Sequence, residues 1–416
     1  MPKRLVGIFQ SEVIAGRILM LRQGLDPLAK LDVNPEYNVS ANGNSFAVAP
    51  DGSAAVAGAN VTTNNMRYYA DPANLGSSFV PTASFAGGVI CCAISSTLYA
   101  FGGSSPFLYV FDRATHTLKT LNTTGLGTVY AMDFSPDGTK LAVTHGTTPY
   151  VRIYNTSDWS IVNAATATIN TPYACCFSKD SSKLVVFTTS SPFVNVYNPA
   201  TGSRDQALTS AGYGINSGSV GTRALRSPLA GDNRILFCVT TSGWLATFDT
   251  GTSALTRWAG LSPDISYVNH IAVDPDPDAD TLYAIHYTGN ASPSRTVTLY
   301  KISTGTAYPN TPPILRNLLL GNSNNPYNVA GIVLTDVHTL TGTVRNINNA
   351  PAARVVRAYS RTTGELLAQT TSDATTGNYT LKVYDAGPYD IQFMTADGEL
   401  LNDLFFARAE PQAVSG

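Results

Sequence analysis

GTVYAMDFSPDGTKLAVTHGTTPYVRIYN, residues 127–155, holds three apolar runs of strand length separated by two turn signals. Pro136 presets the first corner of a tight turn, and Gly138 supplies the positive φ that the turn needs next. The runs on either side predict an antiparallel strand pair, and VRIYN (151–155) predicts a third strand.

The third run recurs along the chain as ILMLR (18–22), MRYYA (66–70), LYVFD (108–112), VNVYN (194–198), LATFD (245–249) and VTLYK (297–301). Its fourth position is always bulky: Leu21, Tyr69, Phe111, Tyr154, Tyr197, Phe248 and Tyr300, at gaps of 48, 42, 43, 43, 51 and 52 residues. That period is too long for leucine-rich repeats, and the strand composition excludes helical arrays. The first two runs repeat as well, in SFAVAPDGSAAVAG (45–58) and ACCFSKDSSKLVVF (174–187). VICCAISSTLYAF (89–101) is a shortened copy and HIAVDPDPDADTLYAIH (270–286) a lengthened one.

The SPDG turn followed by VRIYN resembles the repeat of the YVTN/WD40-like β-propeller superfamily, over residues 1–335. The resemblance implies four-stranded blades and leaves function open, because propellers host enzymes, scaffolds and adhesins alike. The Trp-Asp dipeptide of WD40 blades is absent from the strand ends, which speaks against a eukaryotic scaffold. Six complete units follow an incomplete one, in which RLVGIFQ (4–10), RILMLRQ (17–23) and LAKLDV (28–33) read as second, third and fourth strands. NVAGIVLT (328–335) is the expected inner strand of that unit, which makes seven blades closed by both ends of the domain.

After residue 335 the rhythm changes to short alternating strands joined by Asn, Gly and Pro turns. Val355, Arg357 and Tyr359 fall on one strand face, with Val356 and Ala358 on the other. Gly342-Thr343-Val344, Pro351 with Arg354 to Tyr359, Thr363-Gly364, Ser372-Asp373 with Gly377 and Tyr379, and NDLFFARAEP (402–411) come in a characteristic order. This series resembles the carboxypeptidase-regulatory-like (transthyretin-like) β-sandwich, in the version found at the C-termini of tailed-bacteriophage virion proteins.

Composition bounds the partners. Charged residues are 13% of the chain, about half the usual share. With 26 Lys+Arg against 28 Asp+Glu, the net charge of −2 gives no electrostatic footprint for nucleic acid. A surface rich in small polar groups is cheap to desolvate, which favours broad protein–protein contact. The N-terminal apolar run stops at Gln10, Ser11 and Glu12 and does not read as a signal peptide, and no window is apolar enough to predict a membrane span.

Each group that could carry chemistry has a plainer reading beside it. The histidines are His116, His145, His270, His286 and His338, and His145 reads as a loop residue after a second strand. His270 and His286 fall on adjacent strands, but a metal pair there lacks a third ligand, so packed or surface roles are simpler. Asp274, Asp276, Asp278 and Asp280 offer oxygens for calcium, yet the glycine turn and closing Glu of an EF-hand are missing; a stiffened, solvated loop accounts for them. Glu12, Glu36, Glu365, Glu399 and Glu410 occupy no repeated inner-strand position, which argues against a lactonase-type metal set. Cys91, Cys92, Cys175, Cys176 and Cys238 match neither a disulfide framework nor zinc spacing and read as small core hydrophobes with no activating cation. Trp159, Trp244 and Trp258 could stack on sugars, but their places near outer strands suit packing. No G-x-S-x-G elbow occurs.

The sequence therefore reads as an all-β chain: a seven-bladed β-propeller (1–335) followed by a β-sandwich (336–416). No catalytic, cofactor-binding or metal-binding residue is assigned, and the chain is expected not to be an enzyme. The phage resemblance implies a structural virion protein of the tail, baseplate, collar or capsid. It would be assembled in the host cytoplasm in multiple symmetric copies, and its partners would be other virion proteins. A variant gives one face to a host-surface glycan or receptor. The alternative is a bacterial lactonase-like hydrolase or ligand-binding propeller.

Overall fold

The computed structural model describes residues 3–9, 17–23, 43–50, 53–59, 65–70, 78–79, 88–104, 108–162, 169, 172–188, 191–209, 220–239, 244–258, 265–273, 280–288, 294–307, 328–333, 338–346, 348–361, 366–383, 389–394, 404–409 and 412–413. Among them every regular element is a β-strand. The strands are β1 (Lys3–Phe9), β2 (Arg17–Gln23), β3 (Gly43–Val48), β4 (Ala55–Ala59), β5 (Met66–Tyr69), β6 (Ser78–Phe79), β7 (Val89–Ile94), β8 (Leu98–Gly103) and β9 (Leu108–Asp112). Then come β10 (Val129–Phe134), β11 (Lys140–His145), β12 (Val151–Asn155), β13 (Ile161–Val162), β14 (Pro172–Phe177), β15 (Leu184–Thr188), β16 (Val194–Tyr197) and β17 (Arg204–Leu208). β18 (Val220–Arg226), β19 (Arg234–Val239), β20 (Trp244–Asp249), β21 (Leu255–Arg257), β22 (Ile265–Val273), β23 (Thr281–Thr288), β24 (Ser294–Lys301), β25 (Thr306–Ala307) and β26 (Asn328–Val333) follow. The last are β27 (His338–Thr343), β28 (Val355–Ser360), β29 (Leu366–Thr371), β30 (Asn378–Val383), β31 (Tyr389–Phe393), β32 (Leu404–Ala409) and β33 (Gln412–Ala413).

The strands form small antiparallel sheets in sequence order: β3-β4-β5-β6, β7-β8-β9, β10-β11-β12-β13, β14-β15-β16-β17, β18-β19-β20-β21 and β22-β23-β24-β25. A further sheet has the order β2-β1-β26. Residues 28–33, read from sequence as a strand, lie outside the described residues. The chain divides into two compact units, one of residues 6–19 and 34–332, the other of 1–5, 20–33 and 333–416.

Within the larger unit, the first strand of each sheet packs beside the first strand of the next, from β3 through β7, β10, β14 and β18 to β22. Sequence dictates this local geometry. In the β10–β11 turn, Gly138 has φ 72°. Asp137 accepts from Ser135 Oγ at 2.5 Å and from Thr139 N–H at 3.0 Å. The β14–β15 turn reproduces it: Asp180 accepts from Ser178 Oγ at 2.6 Å and from Ser182 N–H at 3.1 Å. Ser181 there takes the left-handed conformation with φ 61°.

The bulky fourth positions fill one repeated slot. Tyr69, Phe111, Tyr154, Tyr197, Phe248 and Tyr300 are all buried, and each pairs with the second strand, as Tyr154 does with Leu141 and Tyr197 with Leu184. Burying such a side chain is worth about 1.5–3 kcal/mol. Hydrophobic clusters form between sheets: Cys91, Ala93 and Val110 pack with Met132, Phe134 and Tyr154, and Ala131 and Ile153 pack with Cys175, Phe177 and Tyr197.

In the smaller unit, β30-β27-β33 and β29-β28-β31-β32 share one hydrophobic cluster. Val356 and Ala358 are buried in it with Leu340, Leu381, Tyr389 and Ile391, while Val355, Arg357 and Tyr359 on the opposite face of β28 are half-buried. Gly377, at φ 75°, closes the loop before β30, and a Cβ there would lie 2.3 Å from Val344 O.

Candidate functional site

The two ends of the first-strand hairpins differ in chemistry. At the turn end, polar side chains tie three pairs of adjacent sheets together. Arg113 donates from Nε to Tyr68 Oη at 3.2 Å and from Nη2 to Ser53 Oγ, both in the preceding sheet. Asp137 N–H donates to Ser181 Oγ at 3.1 Å, Lys179 Nζ to Leu229 O at 2.7 Å, and Lys183 Nζ to Thr250 O.

At the opposite end the first strands are bulged. The register breaks between Gly43 and Ser45, Val89 and Cys91, Val129 and Ala131, and Pro172 and Ala174. A bulge leaves one residue outside the ladder and re-aims its side chain. Ile90, Tyr130 and Tyr173 are such residues. Tyr130 and Tyr173 are half-buried, with ring centroids 5.4 Å apart at an interplanar angle of 35°. This gives the bulged end an aromatic surface on rigid backbone.

Behind Tyr130, the loop 122–128 is held by groups from β11, β12 and the turn between them. Tyr154 Oη donates to Asn122 O at 2.8 Å, and Arg152 donates to Asn122 O at 3.2 Å and to Thr124 O at 3.0 Å. Thr147 Oγ1 donates to Gly125 O at 2.7 Å. His145 Nδ1 lies 3.1 Å from Thr147 Oγ1 and 3.5 Å from Gly127 N–H, while its Nε2 is buried without a partner. Burial, then the Arg152 charge, lowers the His145 pKa from 6.5 to about 4.

Also toward the turn end, Asp133 on β10 and Arg226 on β18 form a bidentate ion pair across β14 (Nη1–Oδ2 2.5 Å, Nη2–Oδ1 3.2 Å). The same groups pair with the backbone of β14: Phe177 N–H donates to Asp133 Oδ2 at 2.8 Å, and Arg226 Nη1 to Phe177 O at 3.4 Å. Burial works against the Arg226 charge, and the Asp133 carboxylate outweighs it, so the Arg226 pKa is raised. Three sheets are clasped by one pair of side chains.

Several sequence expectations change here. His145 is the last residue of β11 and fully buried, not a loop residue, because its ring closes over Thr147 beneath loop 122–128. The cysteines are buried, as core hydrophobes should be, but Cys176 does have a cation nearby, Arg226 Nη1 at 3.8 Å. Burial nevertheless pushes the Cys175 and Cys176 thiols up, so neither is activated. The acid on a first strand is Asp133, which a survey of glutamates misses; it takes the slot that Cys176 fills one sheet later.

His116 takes a left-handed φ of 56° and sets Nδ1 3.1 Å from Tyr99 Oη, in an edge contact with Tyr68. His270 and His286 lie on β22 and β23, where His286 pairs with Val268 and His270 with Ile285. His338 opens β27. Asp274, Asp276 and Asp278 lie outside the described residues, and Asp280 accepts from Ser303 N–H at 2.7 Å. Among the described residues, no three His, Cys, Asp or Glu side chains converge as a metal site requires. Trp258 is buried, 6.0 Å from Tyr300, and Trp159 packs at the edge of a core cluster.

No protein-family model matches the chain, and no curated protein matches it. Among solved structures, a chain in a crystal structure of the mitotic checkpoint complex is 18% identical, over 65% of this chain and 78% of its own, with a TM-score of 0.47. A likeness of that degree says nothing of what this protein does.

Proposed function

We propose that the chain is a seven-bladed β-propeller followed by a transthyretin-like β-sandwich, and that it serves as a structural component of a tailed-bacteriophage virion. The six consecutive sheets from β3 to β25, together with β2-β1-β26, supply seven blades. The two sheets that share the Val356–Leu381 cluster supply the sandwich.

The observation that carries a structural role is the use made of first-strand polar groups. Asp133 and Arg226 satisfy each other and the β14 backbone, and the turn-end cations satisfy carbonyls of neighbouring sheets. A hydrolytic centre needs such groups directed at a substrate; here they brace neighbouring sheets. The bulged end, with Tyr130 and Tyr173, is the face offered to partners in the particle or on the host surface. Tail, baseplate, collar and capsid all remain positions for it within this reading.

Mass spectrometry of purified virions tests the assignment. The chain should be present at a fixed copy number that is a multiple of a particle symmetry. Its absence from particles made by a host that expresses it would overturn the reading.

A further inference from the structure

Loop 122–128 is fastened at one end of a sheet by groups whose charge balance is unusual. Arg152 is 7% exposed, and its partners, Asn122 O, Thr124 O and Tyr154 Oη, are all neutral. His145 is fully buried beside it with Nε2 unpartnered. We propose that His145 is the acid-sensitive pin of a latch, and that protonating its imidazole releases loop 122–128 from the bulged end.

Either neutral tautomer leads to the same outcome. Thr147 Oγ1 already donates to Gly125 O, so it can only accept from His145; Nδ1 then carries the proton and Nε2 is a bare lone pair. Protonation turns Nε2 into a donor with no acceptor, beside the Arg152 cation. If Nδ1 instead accepts from Gly127 N–H, protonation puts two donors face to face and breaks that contact with the loop. In both cases the cation is better accommodated once the loop has left and water enters.

No carboxylate offsets this. β12 contributes Arg152 and Tyr154, the β11–β12 turn Tyr150, β10 Tyr130, β7 Cys91, and β14 Tyr173 and Cys175; β9 ends at Asp112, which Lys119 holds, and loop 122–128 has no titratable side chain. Lys140 and Asp133 sit at the far end of their strands, and Asp133 is held by Arg226. Release withdraws Leu126 from the core cluster that it shares with Val129 and Met132, and frees Arg152 from Asn122 O and Thr124 O. Acid thereby changes the face on which Tyr130 and Tyr173 stand.

The sign follows from the two states. The closed-state pKa is about 4, while a solvated imidazole titrates near 6.5. Acidification through that window therefore favours the open loop, by up to about 300-fold at full protonation. Above pH 6.5 the latch stays shut.

Hydrogen exchange by mass spectrometry on the full chain at pH 6.5 and 4.5, corrected for intrinsic rates, tests this. Protection of 122–128 should fall at least tenfold while 131–134 is unchanged, and the His145→Gln variant should show no such fall. The imidazole of His145 in the unsubstituted protein, followed by NMR, should titrate below pH 5, which keeps the test decisive if the variant does not fold. Equal protection of the loop at both pH values, the same fall in His145→Gln, or an imidazole midpoint near 6.5 would each overturn the proposal.

Discussion

Exchanging the Asp133–Arg226 pair for the residues that fill the same slots in neighbouring sheets should expose what the clasp contributes. Asp133 pairs with Ala142 where Cys176 pairs with Val185, and Arg226 pairs with Ile235 where Phe134 and Phe177 pair with Leu141 and Leu184. The side chains of Arg226 and Asp133 are 28% and 18% exposed, so the pair is desolvated but not sealed. Removing one member of a fully buried pair costs about 3–5 kcal/mol; partial exposure lowers this to about 2–4 for Asp133→Cys or Arg226→Phe alone. The double variant removes both charges and fills both slots with apolar groups, and its loss should be about 1–2 kcal/mol, mainly from the unpaired Phe177 N–H and C=O. Urea unfolding of the four proteins, followed by tryptophan fluorescence and circular dichroism together, gives the cycle. A coupling of about 2 kcal/mol or more is expected. Losses that add to within about 0.5 kcal/mol would show that the two charges act independently, and the clasp would then be wrong.

Other substitutions and conditions test separate parts of the chain. Gly377→Ala should destabilise the smaller unit by about 1–3 kcal/mol in thermal unfolding, because it forces a Cβ against Val344 O at a left-handed φ. Cys175→Val should cost no more than about 1–2 kcal/mol, and native Cys175 should resist thiol reagents until the protein unfolds. Thr115 N–H, then Lys119, hold the Asp112 pKa down to about 2 from 3.8. The stability it contributes is full above pH 3.8 and lost as pH falls through 2, so Asp112→Asn should flatten that part of an acid titration. Thermal unfolding with and without EDTA should coincide; a lower midpoint in chelator would restore the Asp274–Asp280 loop as a calcium site.

What could be read from the sequence is what repeats. Tyr154, Tyr197 and Phe248 announce a common buried slot because each stands fourth in a similar run, and Val356 and Ala358 announce a buried face by strict alternation. The clasp breaks the repeat and so escapes it. Asp133 and Arg226 are 93 residues apart, and the only signal is an acid where a neighbour has cysteine and a cation where two neighbours have phenylalanine. The bulges escape for a different reason. One residue added to an apolar run leaves its composition unchanged, so Tyr130 and Tyr173 read as ordinary strand positions. His145 reads as a loop residue because a polar residue before Gly146 looks like a strand end open to water, whereas loop 122–128, which covers it, comes from the preceding connection.

Sheets that touch only their neighbours behave as a one-dimensional chain, in which each unit gains and loses order according to the two beside it. The Asp133–Arg226 pair departs from that rule, since it reaches from β10 past β14 to β18. Residues 129–257 should consequently open as one block rather than sheet by sheet, with the last amides to exchange in β14, at its centre. A force applied along the chain would meet its steepest resistance there. Fragments cut within this span should fail to refold alone, while cuts placed outside it leave a nucleus on which the remaining sheets can grow.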